Sequence, residues 1–177
     1  QKKEKSTTPE SEEVAPFFKL SLAQWSFHKA FMSGELNPLD FAKKAKEMNF
    51  EGIEYVSQIY GYMLKNSTDS TFTMQRVLDT LKMKSEFYGV KNVLIMIDNE
   101  GALATDDEEA RNKAVENHKK WIDAAEFLGC SAVRVNLQGS HDSEIWKKNA
   151  KIALSQLASY ANLKTSMLLL KTMVGSR

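Results

Sequence analysis

The spacing of apolar positions changes once between Val115 and Gly139, VENHKKWIDAAEFLGCSAVRVNLQG, and the change marks a helix followed by a strand. Val115, His118, Ile122, Ala125 and Leu128 recur at steps of three and four, the signature of one buried helical face. Gly129 follows the last of them, where a helix end favours a residue that tolerates left-handed backbone. From Ser131 to Leu137 the period falls to two. Val133, Val135 and Leu137 point to one side, and Arg134, Asn136 and Gln138 to the other. The polar side of this strand is where a ligand is expected.

The same alternation runs through the rest of the chain. Phe17 to Trp25 reads as a first strand, with Leu20, Leu22 and Gln24 on one side. Asn37 suits a helix cap and Pro38 a first helical position; the helix Leu39 to Met48 carries Leu39, Ala42, Ala45 and Lys46 near one face, and Phe50-Glu51-Gly52 closes it. Ile53 to Val56 is a second strand and Ser57 to Asp69 a polar loop. Ser70 to Tyr88 is a helix presenting Phe72, Val77, Leu78 and Leu81. Gly89 ends that helix, and Val90 to Asp98 is a third strand. The acidic stretch Asp106 to Glu109 begins the central helix, at the end where its dipole favours negative charge. Ser140 or Asp142 caps a last helix, Ser143 to Ala161, presenting Ile145, Ala153, Leu157 and Tyr160. The order is β-α four times over, with Ile53, Val93 and Val133 spaced by 40 residues (93 − 53 and 133 − 93). This predicts parallel β/α packing, and pattern alone leaves open an open sheet or part of a closed barrel. No G-x-G-x-x-G or G-x-x-x-x-G-K follows a strand, so a phosphate-cradling dinucleotide fold has no support.

At 177 residues and 42% apolar content, the chain can bury a core and is expected to form one domain. A net charge of +1 gives no electrostatic case for a nucleic-acid partner. Cys130 is the only cysteine, which excludes an internal disulfide and a cysteine metal cluster. Its place at the helix–strand joint reads as a packed small hydrophobe, with a reactive thiol as the alternative. No apolar run reaches the roughly twenty residues of a membrane helix. Residues 1–16, QKKEKSTTPESEEVAP, are charged and lack an apolar period, which predicts a disordered tether. The first residue is not Met, so a signal segment removed earlier would place the protein in the periplasm or tethered to the envelope; otherwise it is cytoplasmic.

In parallel β/α folds the ligand lies beyond the carboxyl ends of the strands. Those ends carry Gln24, Trp25, Ser26 and His28, then Glu54, then Asp98 and Glu100, then Arg134, Asn136 and Gln138. Glu54 and Arg134 read either as pocket groups or as a buried ion pair. Trp25 reads as partly core, or as an aromatic face for a sugar. Asp98, beside Asn99, Glu100 and Gly101, reads as a turn-former or a ligand contact. Among the histidines, His28 is the candidate pocket contact, His141 an exposed loop residue and His118 a hydrogen-bonded core residue. No pair of histidines or carboxylates has metal-ligand spacing, so no self-contained metal site is expected.

LSLAQWSFHKAFMSGELNPLDFAKKAKEMNFEGIEYV, VLIMIDNEGAL and AVENHKKWIDAAEFLGCSAVRVN resemble, in order and interval, the first half of the sugar phosphate isomerase/epimerase family of xylose isomerase-like TIM barrels. The resemblance runs from Phe17 to about Tyr160. It implies an α/β fold of parallel (β/α) units: a truncated TIM barrel holding the first four β/α units of eight, over residues 17–161. It also implies a sugar or keto-sugar substrate, isomerised or epimerised by proton transfer. In this family one divalent metal (Mn, Mg or Zn) polarises the substrate, and paired glutamates move the proton. Those ligands and glutamates come from strands five to eight. The matching positions Gln24, Trp25, His28, Glu54, Asp98, Arg134 and Asn136 are therefore expected to wall the pocket. This chain alone is expected to bind no metal and to be inactive. Glu116-Asn117-His118 lies in a helix and is not the family's strand-five Glu-Asn-His. The alternatives are a non-catalytic carbohydrate-binding or scaffolding β/α protein, and a doubly wound domain of flavodoxin-like order. Half a barrel also predicts self-association through exposed edges. Residues 162–177 depart from the family. One permitted set of codons for Met167 to Gly175, read one base earlier, spells NVIVENHGG, so the tail is expected to be a frame-shifted fifth strand.

Overall fold

The structure, a computed structural model, describes residues 18–162. The expected tether at 1–16 lies outside them, as does the expected tail at 162–177 apart from Asn162, which ends the last helix. Four strands, β1 (Ser21–Ala23), β2 (Gly52–Val56), β3 (Lys91–Ile97) and β4 (Ala132–Val135), form one sheet in the order β1-β2-β3-β4. Every pairing is parallel. That sequential order excludes the doubly wound, flavodoxin-like arrangement, in which the chain would reverse between strands.

The helices are α1 (His28–Met32), α2 (Phe41–Glu47), α3 (Ser57–Asn66), α4 (Met74–Tyr88), α5 (Glu108–Leu128) and α6 (Ser143–Asn162). Asp107 caps α5 by accepting from the Ala110 amide, and Asp142 caps α6 by accepting from the Glu144 and Ile145 amides. Gly129 ends α5 at φ 71°, the left-handed conformation its place in the sequence predicts.

Register sorts the side chains into two faces. Tyr55, Ile95 and Val133 share one row, and Ile97 and Val135 the next on the same side; all five are buried. On this side the Tyr55 hydroxyl donates to Asn92, whose amide reaches Ser85 on α4 and the Leu128 carbonyl on α5, so it is the helix-covered side. Ala23, Glu54, Leu94 and Ala132 form a row on the opposite side, followed by Val56, Met96 and Arg134. Arg134 and Asn136 alternate with buried Val133, Val135 and Leu137, as the period of two predicts.

Several expectations change; the helix expected from Ser70 begins at Met74, capped by Thr73, which accepts from the Arg76 amide. The first strand shortens to Ser21–Ala23, because the chain turns into a 3-10 helix at Gln24–Phe27; Leu20, outside the ladder, is exposed. The helix expected from Leu39 begins as a 3-10 turn, Pro38–Asp40, with the Leu39 amide donating to Asn37. Phe41 is its fully buried anchor and Lys46 is exposed, so the face is rotated from the one the pattern gives. The left-handed residue closing α2 is Asn49, and Gly52 belongs to β2. Finally, the expected loop after β2 is α3, whose Ile59 and Tyr60 are buried. Gly61 and the polar residues around it mask a helical pattern of Ile59, Tyr60, Met63 and Leu64.

Candidate functional site

The site is built on the side of the sheet facing away from the helices and on the loops at the strands' carboxyl ends. Asp98 follows β3, and Ser57 opens α3 directly after β2. The Asp98 amide donates to Ser57 Oγ at 2.9 Å, and that hydroxyl lies 3.2 Å from the Asp98 carbonyl. The carboxylate of Asp98 accepts from Asn136 Nδ2, and Arg134 Nη2 lies 3.8 Å from the same oxygen. Arg134 Nε is buried and has no hydrogen-bond partner. Asp98, Arg134 and Asn136 thus form one cluster of acceptors and donors. Glu54, on β2, accepts from Ser21 Oγ at 2.5 Å. The expected alternative of a Glu54–Arg134 ion pair is corrected here: β3 stands between β2 and β4, and Arg134 pairs with Asp98.

Around the mouth, Trp25 stacks on His28 with centroids 4.5 Å apart and planes 8° from parallel. His28 Nδ1 donates to the Trp25 carbonyl at 2.7 Å, which fixes the pair. Gln24 stands apart from these groups. It is fully buried, its Nε2 donating to the Tyr60 hydroxyl at 2.7 Å and its Oε1 accepting from the Val56 amide at 2.9 Å. Burial raises the phenol pKa of Tyr60 far above its ordinary value, so the hydroxyl stays protonated and serves the Pro38 carbonyl.

The loop after β3 is held in place. Glu100 accepts from Trp121 Nε1 at 2.6 Å and Lys120 Nζ at 2.8 Å. Ala104 pairs in parallel with Gly139 in the loop after β4, through Ala104 N–H to Gln138 O and Ser140 N–H to Ala104 O, both 2.9 Å. A Cβ on Gly139 would lie 2.0 Å from the Ala104 carbonyl carbon, so this close approach requires glycine. The two loops beside Asp98 and Asn136 are therefore tied together.

A cleft of about 380 Å³ opens between Trp25, Phe31 and Met32 on one side and Ile59 and Tyr62 of α3 on the other, with Asp98 at its border. Ser57, Tyr62 and Asn99 line this cleft and went unseen in the sequence, because the helix that carries two of them read as a loop. His141 is exposed, and His118 is a buried, hydrogen-bonded core residue, both as expected.

No family model matches the chain, and a search of curated proteins finds no match. Solved structures do match. The 3-keto-D-glucoside 4-epimerase YcjR from E. coli shares 16% identity at a TM-score of 0.58, covering 76% of this chain and 50% of that one. D-psicose 3-epimerase from Clostridium cellulolyticum H10, solved with D-tagatose, shares 12% identity at 0.64, covering 86% of this chain and 52% of that one. The IolI protein, solved with a zinc atom, shares 16% identity at 0.64, covering 88% and 51%. The chain spans about half the length of these proteins. It has the fold of the first four β/α units of an eight-unit TIM barrel, of the kind found in these proteins, two of them sugar epimerases.

Proposed function

We propose that this chain forms the sugar-binding wall of an isomerase or epimerase that moves a proton on a sugar or keto-sugar. The observation that carries this reading is the cluster Asp98, Arg134 and Asn136, with Glu54 two strands away, on the helix-free side of a half-barrel sheet. A sugar presents a donor and an acceptor at each hydroxyl, so a wall that mixes carboxylates with guanidinium and amide groups suits it. Arg134, with a buried Nε lacking a partner, can donate to a substrate oxygen while Asp98 accepts from a neighbouring hydroxyl. Trp25 offers a flat apolar face at the mouth, and His28, stacked on it, holds its angle. Gln24 serves the same wall from behind, tying the end of β2 to α3.

Among the described residues no group of three or more His, Cys, Asp or Glu comes together, so they do not fit the divalent metal implied by the family resemblance. The role proposed for the described residues is binding and orientation.

Titration with D-fructose and D-tagatose, followed by tryptophan fluorescence, tests the reading. Saturable binding is expected, weakened about tenfold by Arg134→Gln or Asp98→Asn, which corresponds to losing one hydrogen bond to a charged group. Absence of saturable binding, or binding untouched by both substitutions, would rule the wall out.

A further inference from the structure

The cleft beside Asp98 has a chemistry of its own. Three large apolar side chains that solvent would otherwise wet converge on it: Met32 is 66% exposed, Tyr62 61% and Trp25 42%. A contiguous exposed apolar patch around a concavity marks a binding site. Its volume of about 380 Å³ lies within the usual range for small-molecule sites, roughly 300–1,000 Å³.

Much of this space suits an apolar group better than a sugar hydroxyl. Buried hydroxyls cost free energy unless each finds a partner. Two polar side chains of the lining are already engaged: Ser57 Oγ with the Asp98 backbone, and the Glu100 carboxylate with Trp121 and Lys120. Phe31, Met32, Ile59, Tyr62 and Met63 supply an apolar lining, beside the polar side chains of Gln58, Lys65 and Asn99.

Asp98 borders both places. Its carboxylate belongs to the cluster with Arg134 and Asn136, and the same residue lines the cleft. A molecule whose sugar ring lies against that cluster can therefore extend an apolar substituent between Met32 and Tyr62. We propose that the cleft is a subsite for such a substituent, so that an aryl or alkyl glycoside is preferred over a free monosaccharide. This rests on the sugar-wall reading above, which the following experiment tests separately.

Phenyl and methyl β-D-glucosides and β-D-galactosides, and phenol alone, are titrated by calorimetry into the full chain and into Met32→Glu and Tyr62→Asp variants. Both substitutions fall on exposed side chains, and circular dichroism checks that the fold is kept. The phenyl glycoside of at least one sugar is expected to bind tenfold or more tightly than its methyl counterpart. Either variant should reduce that preference to less than threefold, while Arg134→Gln weakens both glycosides and leaves their ratio unchanged. Equal affinity for phenyl and methyl glycosides would overturn the subsite and leave the sugar wall standing, and so would a phenyl preference that survives both cleft variants. Phenol binding as tightly as its glycosides, and lost in the variants, would support the cleft and overturn the sugar wall. No binding of any probe would overturn both.

Discussion

His118 lies on α5 at 2% exposure, its Nδ1 donating to the Ala114 carbonyl at 2.7 Å. Burial lowers its pKa below the ordinary value; the Ala114 bond and the charges of Glu100 and Asp98 pull it back up, and Lys120 pushes it down. The net direction is down, so at mildly acidic pH the unfolded chain takes up the proton more readily than the fold does. Stability from this residue is full above the unfolded value of about 6.5 and is lost as pH falls from there toward the lower folded value. Urea midpoints measured from pH 7.5 to 5 should therefore fall more steeply in the parent chain than in His118→Gln. Parallel pH profiles would show that burial of this imidazole does not set its proton affinity. His118 and Cys130 were both legible as core residues. Burial pushes the Cys130 thiol up to about 12, so it is protonated at neutral pH and the reactive-thiol alternative loses its nucleophile. Gln24 was harder to place. Its polarity at a strand end reads as a pocket group, but the Val56 amide it satisfies lies 32 residues away, beyond any local pattern.

Among the elements, the firmest joint is at Asn92, the buried polar residue on β3 that touches three other elements. It accepts from the Tyr55 hydroxyl of β2 at 2.8 Å, and its amide donates to Ser85 of α4 at 3.0 Å and to the Leu128 carbonyl of α5 at 2.8 Å. Replacing it with Leu strands a hydroxyl and a carbonyl in the interior, each costing roughly 1–3 kcal/mol. Asn92→Leu is expected to lose about 2–4 kcal/mol in urea unfolding, and Asn92→Asp, which retains the acceptor for Tyr55 but turns a buried carboxylate oxygen toward the Leu128 carbonyl, at least as much. A near-neutral Asn92→Leu would mean that this joint contributes little. The elements most legible in the sequence were those with a clear period and a stop: α5 with Gly129, and β4 with its Val/Arg/Asn alternation. Those that misread were set by contacts outside their own segment. Three residues of β1 find partners on β2, so the ladder ends where register ends rather than where apolar residues do. The α3 helix runs off β2 without a side-chain cap, and Gly61 sits in it where an added Cβ would meet nothing, so neither a start signal nor a clean face marks it.

At the scale of the molecule, four parallel strands leave two edges, the outer sides of β1 and β4, with no neighbouring strand among the described residues. Such edges present unpaired backbone donors and acceptors that template further pairing. Beside β4, an apolar trough formed by Leu137, Trp146, Ala150, Leu154 and Ala158 runs along α6. At the opposite edge Leu20, just before β1, is exposed. In the barrels that this chain matches over about half their length, further β/α units follow those it covers. Pairing β4 of one copy with β1 of the next would satisfy backbone groups and cover apolar area together, so association is the expected outcome. Sedimentation of the 177-residue chain is expected to show mass rising with concentration above that of a monomer. Leu154→Lys, a half-buried trough position, should shift the distribution toward monomer without altering the circular dichroism spectrum. A single monomeric species across a wide concentration range would overturn the assignment of these edges as association surfaces.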